Sequence, residues 1–126
     1  MFNIKVKHVL DEIGAGDGTR IMVDRKLPSG YDEWKLRIDM WAREALPSDG
    51  TLNNLCETQD WGGFEEAYFK ELDIDKDYAI DAVVKKAILG PVTLLHNSKD
   101  RDRNLAVAMR EYLISRERKL VGEQAA

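Results

Sequence analysis

Two short stretches without polar alternation, Ile21 to Val23 and Pro91 to Leu95, most constrain what this chain can fold into. A strand covered on both faces reads this way, because neither row of side chains looks onto water. Residues 20–25 and 91–96 are therefore expected to be neighbouring, parallel, central strands. Between them lie segments with helical spacing: Leu52 and Leu55, then Trp61, Phe64, Tyr68 and Leu72, then Ile80, Val83, Val84, Ala87 and Ile88. Ser48 or Asp49 can cap the first helix and Asp60 the second, while the third starts near Asp75 or Asp77. Gly90 and Pro91 stop the third. A last helix follows, with Leu105, Ala108, Met109, Tyr112 and Leu113 on one side. Strand, helical crossover, strand and helix make an α/β arrangement.

The remaining segments fit around that frame. Phe2, Ile4 and Val6 alternate with Asn3, Lys5 and Lys7, the period of a half-covered strand. Its link to the strand at 20–25 is short for a parallel crossover, so this first strand is read as antiparallel or peripheral. Gly14-x-Gly16-x-Gly18 precedes strand residues instead of opening a helix, so it is a turn and not a dinucleotide fingerprint. Trp34 to Ala45 is read as a short helical turn followed by a strand centred on residues 38–41, ended by Pro47. The fold class that results is a single small three-layer α/β domain over residues 1–120. It has a mixed sheet, a parallel central strand pair and flanking helices, and residues 121–126 form a frayed tail.

With 126 residues, 44% hydrophobic, the chain can bury about two-thirds of its unfolded surface without disulfides or metal. Its net charge of −4 argues against a sequence-independent grip on nucleic acid. The basic residues of the last helix, Arg110, Arg116, Arg118 and Lys119 among them, read as a solvated face. No apolar run approaches the ~20 residues of a membrane span, and no signal peptide is visible, so a soluble cytoplasmic protein is expected. A single cysteine, Cys56, is placed on the buried side of its helix and is read as a structural thiol. Trp34, Trp41 and Trp61 are read as core residues.

Beyond these patterns, specific strings are familiar. Asp17-Gly18-Thr19-Arg20, Val23-Asp24-Arg25 and Leu27-Pro28-Ser29-Gly30 resemble the YeaO-like family, domain of unknown function 488. The resemblance runs on through Asp39, Trp41, Pro47-Ser48, Trp61, Phe64, Tyr68, Glu71 and Leu72. It closes with Gly90-Pro91-Val92-Thr93-Leu94-Leu95, Lys99-Asp100 and Asn104-Leu105-Ala106, and so covers nearly the whole chain. It implies no established activity. The family pattern has Leu-Trp-Pro-Arg-Gly where this chain has Lys26-Leu27-Pro28-Ser29-Gly30, and His-Asn where it has Arg103-Asn104. Longer relatives carry a cysteine-rich segment where this chain has His96, Asn97 and Ser98. Chemistry that needs that histidine or cysteine is not carried over.

In open α/β sheets ligands gather beyond the carboxyl ends of the strands. Asp24 and Arg25 follow one central strand, and His96, Lys99 and Asp100 follow the other, leading to Arg103 and Asn104 at a helix start. A helix N-terminus attracts anions, so these seven residues are the candidate ligand-binding site for a small anionic or phosphate-bearing molecule. The competing reading is a non-catalytic interaction or regulatory module, in which Asp24 and Arg25 form a structural ion pair and Asp100 caps the last helix. His96 has no Ser or Cys partner placed for a triad, so no catalytic residue is assigned. His8 and His96 lie on different elements without paired ligand spacing, so no metal is expected, and no cofactor motif appears. Homo-oligomerisation is left open.

Overall fold

The computed structural model describes residues 2–119 with their side chains, and its last helix is traced to Ala125. Of the expected tail, 121–126, the side chains and residue 126 lie outside the described residues. The chain runs through β1 (Ile4–His8), β2 (Thr19–Met22), β3 (Met40–Trp41), a short 3-10 turn (Arg43–Ala45), α1 (Asp49–Thr58), α2 (Trp61–Ile74), α3 (Asp77–Leu89), β4 (Val92–His96) and α4 (Leu105–Ala125).

The strands form one sheet in the order β1-β4-β2-β3. The two stretches without polar alternation are indeed its central, parallel neighbours, with Ile21 opposite Leu94 and Met22 opposite Leu95. The sheet is parallel throughout rather than mixed, because β1 also runs parallel to β4, with Ile4 opposite Val92 and His8 opposite His96. β1 is peripheral, as the short link suggested, but not antiparallel. Residues 9–18 reach about 33 Å when extended, enough to return along a strand of about 16 Å. A helix is not needed for that return.

Register sorts the side chains into two cores. Ile4, Ile21, Val23, Val92 and Leu94 face the helices and pack with Phe64, Tyr68, Leu72, Ile80, Val83, Met109 and Leu113. The opposite face carries a smaller cluster of Val9, Met22, Leu36 and Leu95, joined by Leu27, Ile38 and Trp41. The coil segments 9–18 and 23–39 therefore supply the third layer, in place of further helices.

Local signals mostly act as read. Ser48 Oγ accepts from Thr51 N–H at 3.3 Å and caps α1, and Asp60 Oδ1 accepts from Gly63 N–H at 3.1 Å and caps α2. Glu71 of α2 reinforces the first cap by accepting from Ser48 N–H at 2.8 Å and from the Thr51 hydroxyl. Three expectations are corrected. Cys56 is exposed, because Leu52 and Leu55 point inward and Cys56 is turned about 100° from Leu55. Trp34 is 87% exposed, since the turn at residues 33–37 projects it away from the sheet while Leu36 takes the buried place. The basic face of α4 is partly tied down: Arg110 Nε donates to Ile4 O at 3.0 Å, and Arg116 pairs with Asp81.

Gly18 sits at φ +63°, where a Cβ would lie 2.0 Å from Pro91 O, at the point where β2 meets the start of β4. Both the left-handed backbone and the lack of space exclude a side chain there. Gly18→Ala is expected to destabilise by more than about 2 kcal/mol in urea unfolding. A loss below ~0.5 kcal/mol would mean that the β2–β4 junction is not built this way.

Candidate functional site

The carboxyl edge of the sheet collects the ends of β1, β4 and β2, and of the sequence-predicted site residues Asp24 and His96 lie there. Asp24 is half-buried; its Oδ2 accepts from Asn97 N–H at 2.9 Å and its Oδ1 from Arg25 N–H at 2.9 Å. The carboxylate thereby joins the loop after β2 to the loop after β4. The Trp41 indole donates to Asp24 O at 2.7 Å and holds the same loop from β3.

His96 is fully buried at the end of β4, and its Nδ1 accepts from Ser98 N–H at 3.1 Å. Its register partner is His8, 5.3 Å away between ring centroids in an edge-to-face arrangement. His8 Nδ1 likewise accepts from Leu10 N–H at 3.1 Å. Burial pushes the His96 imidazole below the ordinary histidine value, helped by His8 and Arg101 and opposed by Asp24 and Asp11. Arg101 makes a two-pronged pair with Asp11, at 2.8 Å through each nitrogen, linking the loop after β4 to the loop after β1. That bond drives the Asp11 carboxyl far below the usual carboxylate range, against its burial.

The other predicted residues separate. Arg25 pairs with Asp49 at the start of α1 and not with Asp24. It lines an open cleft of about 460 Å³ shared with Arg43, Glu44, Ser48, Asp49 and Lys76. Lys99 is exposed in the loop after β4. Asp100 Oδ1 accepts from Asp102 N–H at 2.9 Å and Arg103 N–H at 3.0 Å, which lowers its pKa and closes a turn. Asn104, not Asp100, caps α4: its Oδ1 accepts from Val107 N–H at 2.9 Å. Its Nδ2 donates back to Asp100 O at 2.9 Å. The Arg103 side chain is exposed. Among the described residues no group of three or more His, Cys, Asp and Glu is placed to hold a metal ion, and no helix is long and apolar enough to cross a membrane.

Sequence reasoning left the Asp17–Arg20–Lys7 cluster unassigned, although Asp17 and Arg20 stand inside a string that carried the family resemblance. Arg20 is buried: Nη1 donates to Asp17 Oδ2 at 2.6 Å, Nη2 to Leu36 O at 3.0 Å and Nε to Arg37 O at 3.2 Å. Lys7 Nζ lies 2.7 Å from Asp17 Oδ1, and Gly14 N–H donates to Oδ2 at 3.0 Å. Burial raises the Asp17 carboxyl, but Lys7, Gly14 and Arg20 outweigh it and hold it at about 2. The same guanidinium fixes Arg37 in its left-handed conformation, φ +50°, at the base of the turn that carries Trp34.

The family model of DUF488-N3i, described as the inactive DUF488-N3 subclade, matches residues 3–125. The chain belongs to that family. It is also 33% identical over 116 residues to "Uncharacterized protein YeaO" of Escherichia coli (strain K12), covering 90% of this chain and 98% of the relative. The YeaO-like resemblance read from the residues is thereby borne out. No solved structure matches the chain. Within the family fold, the strings Asp17-Gly18-Thr19-Arg20 and Asp39 have a physical purpose here. Asp39 Oδ2 accepts from Arg20 N–H at 2.8 Å, so the first string and Asp39 close one network.

The network generates a pH dependence. A carboxyl held at about 2 when folded, against 3.8 unfolded, contributes its full stability above about pH 4. That contribution is lost as pH falls from about 4 towards 2. Asp17→Asn is expected to cost about 3–5 kcal/mol at neutral pH, since Arg20 stays buried without its counter-charge. It should also flatten the wild-type decline between about pH 4 and 2. Urea melts across that range measure both effects, and an unchanged slope would remove Asp17 from the acid response.

Proposed function

We propose that the protein is a non-catalytic binding module that presents the turn at residues 33–37 to a partner protein. The observation that carries this reading is Trp34, a large aromatic side chain 87% exposed on a turn whose base is bonded to a buried arginine. A rigid aromatic loses little conformational freedom on docking, and tryptophan is among the residues that dominate interface energies. The turn is self-supporting: Leu36 N–H donates to Asp32 O at 3.2 Å and Ile38 N–H to Glu33 O at 3.0 Å. Around Trp34, the residues Glu33, Lys35, Arg37, Ile38 and Asp39 line an open cleft of about 770 Å³. Charged groups thus surround an apolar centre, the usual arrangement of a contact patch.

The carboxyl edge of the sheet supports the non-catalytic half of the reading. The Asp24 and Asp100 carboxylates, His96 Nδ1 and the Asn104 amide are all engaged in holding loops. The family's description as an inactive subclade agrees with that use of its polar groups. A cytoplasmic setting fits the exposed free thiol of Cys56.

A second reading, a small anionic or phosphate-bearing ligand, has one observation in its favour. Arg25, Arg43 and Lys76 come from three different connections and line one open cleft. Glu44 and Asp49 line it too, and Arg25 already pairs with Asp49. The cleft is therefore the weaker candidate.

Affinity capture with the purified protein, followed by titration of the captured protein, tests the first reading. A saturable complex is expected, weakened at least ~10-fold by Trp34→Ala, which corresponds to about 1.4 kcal/mol. The same substitution should leave folding stability within about 0.5 kcal/mol of wild type. Equal affinities for wild type and Trp34→Ala would overturn it. A phosphate-dependent rise in melting temperature abolished by Arg25→Ala/Lys76→Ala would favour the second reading instead.

A further inference from the structure

We infer that His8 and His96 form a two-imidazole latch that holds the loops after β1 and β4 against the carboxyl edge of the sheet while both rings are neutral, and loosens them on acidification. The two residues are the last of neighbouring parallel strands and are register partners, so their side chains lie on the same face. Each ring uses Nδ1 in the same way, accepting the backbone N–H two residues on: Leu10 for His8 and Ser98 for His96, both at 3.1 Å. These bonds assign the neutral rings as the tautomer with the proton on Nε2.

Protonation takes a proton from solvent onto the one unprotonated ring nitrogen, Nδ1, and turns the acceptor into a donor. The Leu10 or Ser98 N–H then faces another N–H, and the turn it closed is released. With centroids 5.3 Å apart, a charge on one ring opposes a charge on the other. Three further charged groups act on the pair. Asp11, in the loop after β1, accepts from His8 N–H at 2.9 Å and from Arg101. Arg101, in the loop after β4, adds positive charge, and Asp24, in the loop after β2, opposes it. From the helical layer, Arg110 of α4 is bonded at the other end of β1, to Ile4 O. Burial of His96 moves its part of the response to lower pH.

Amide hydrogen exchange of wild type and of the His8→Asn/His96→Asn double variant, read by NMR, tests the latch. Asparagine keeps an acceptor oxygen near the Nδ1 position but does not titrate. In wild type the protection factors of the Leu10 and Ser98 amides should fall by about ten-fold or more between about pH 7.5 and 5, while those of the central strand residues Ile21 and Leu94 hold. In the double variant, Leu10 and Ser98 should change by less than about two-fold. Protection of both amides that is independent of pH in wild type would overturn the latch, as would the same acid loss in the double variant. Nitrogen-15 spectra of the wild-type imidazoles at about pH 7.5 give a check that needs no variant: a proton on Nδ1 of either ring overturns it.

Discussion

A buried guanidinium organises the half of this molecule that has no helices. Arg20 stands in the middle of the sheet beside Thr93, on the face opposite the four helices, where an unpartnered charge would be too costly to keep. Its planar set of donors reaches one carboxylate and two carbonyls, and its own backbone N–H meets Asp39. Those four bonds tie both covering coil segments to the sheet. A lysine at this position has a single nitrogen and could not bond all three side-chain acceptors in their separate directions. The second layer of apolar packing, around Met22, Leu36 and Leu95, depends on the segments that Arg20 holds in place.

How much of this was legible beforehand follows from the range of each signal. The central strands were visible because burial on both faces erases polar alternation within a few residues. The caps at Ser48 and Asp60 and the stop at Gly90-Pro91 were visible for the same local reason. Strand direction left no local trace, so β1 was open until the register with β4 was known. The facing of Cys56 and Trp34 depends on which side of a short element meets the core, and one helical turn of sequence does not decide that. His8 and His96 were each seen alone. Only register across the sheet makes them neighbours.

The candidate site illustrates the same distinction. Sequence position placed Asp24 and His96 at the ends of the central strands, and both lie there, whereas Asp100 and Asn104 build the turn and cap that lead into α4. What position could not reveal is that their polar atoms hold loops: Asp24 reaches across to Asn97 in the loop after β4, while His96 Nδ1 and Asp100 Oδ1 accept N–H groups of their own loop. The edge that in many α/β proteins receives a ligand is here crossed by bonds that hold the protein's own loops. Arg25 departs towards α1 because Asp49, one residue beyond the Ser48 cap, offers it a carboxylate.

The strand order has a consequence for how the chain is made. β4 lies between β1 and β2, yet it is the last strand to be synthesised. During translation the first two strands have no shared neighbour to bond to, and their apolar faces must wait through three helices of further synthesis. The helices α1 to α3 can form from local contacts in that interval, whereas the sheet closes only when residues 92–96 have left the ribosome. Such long-range pairing is slow to form. Truncations that stop before β4 should therefore yield chains with exposed strand edges, prone to association with one another.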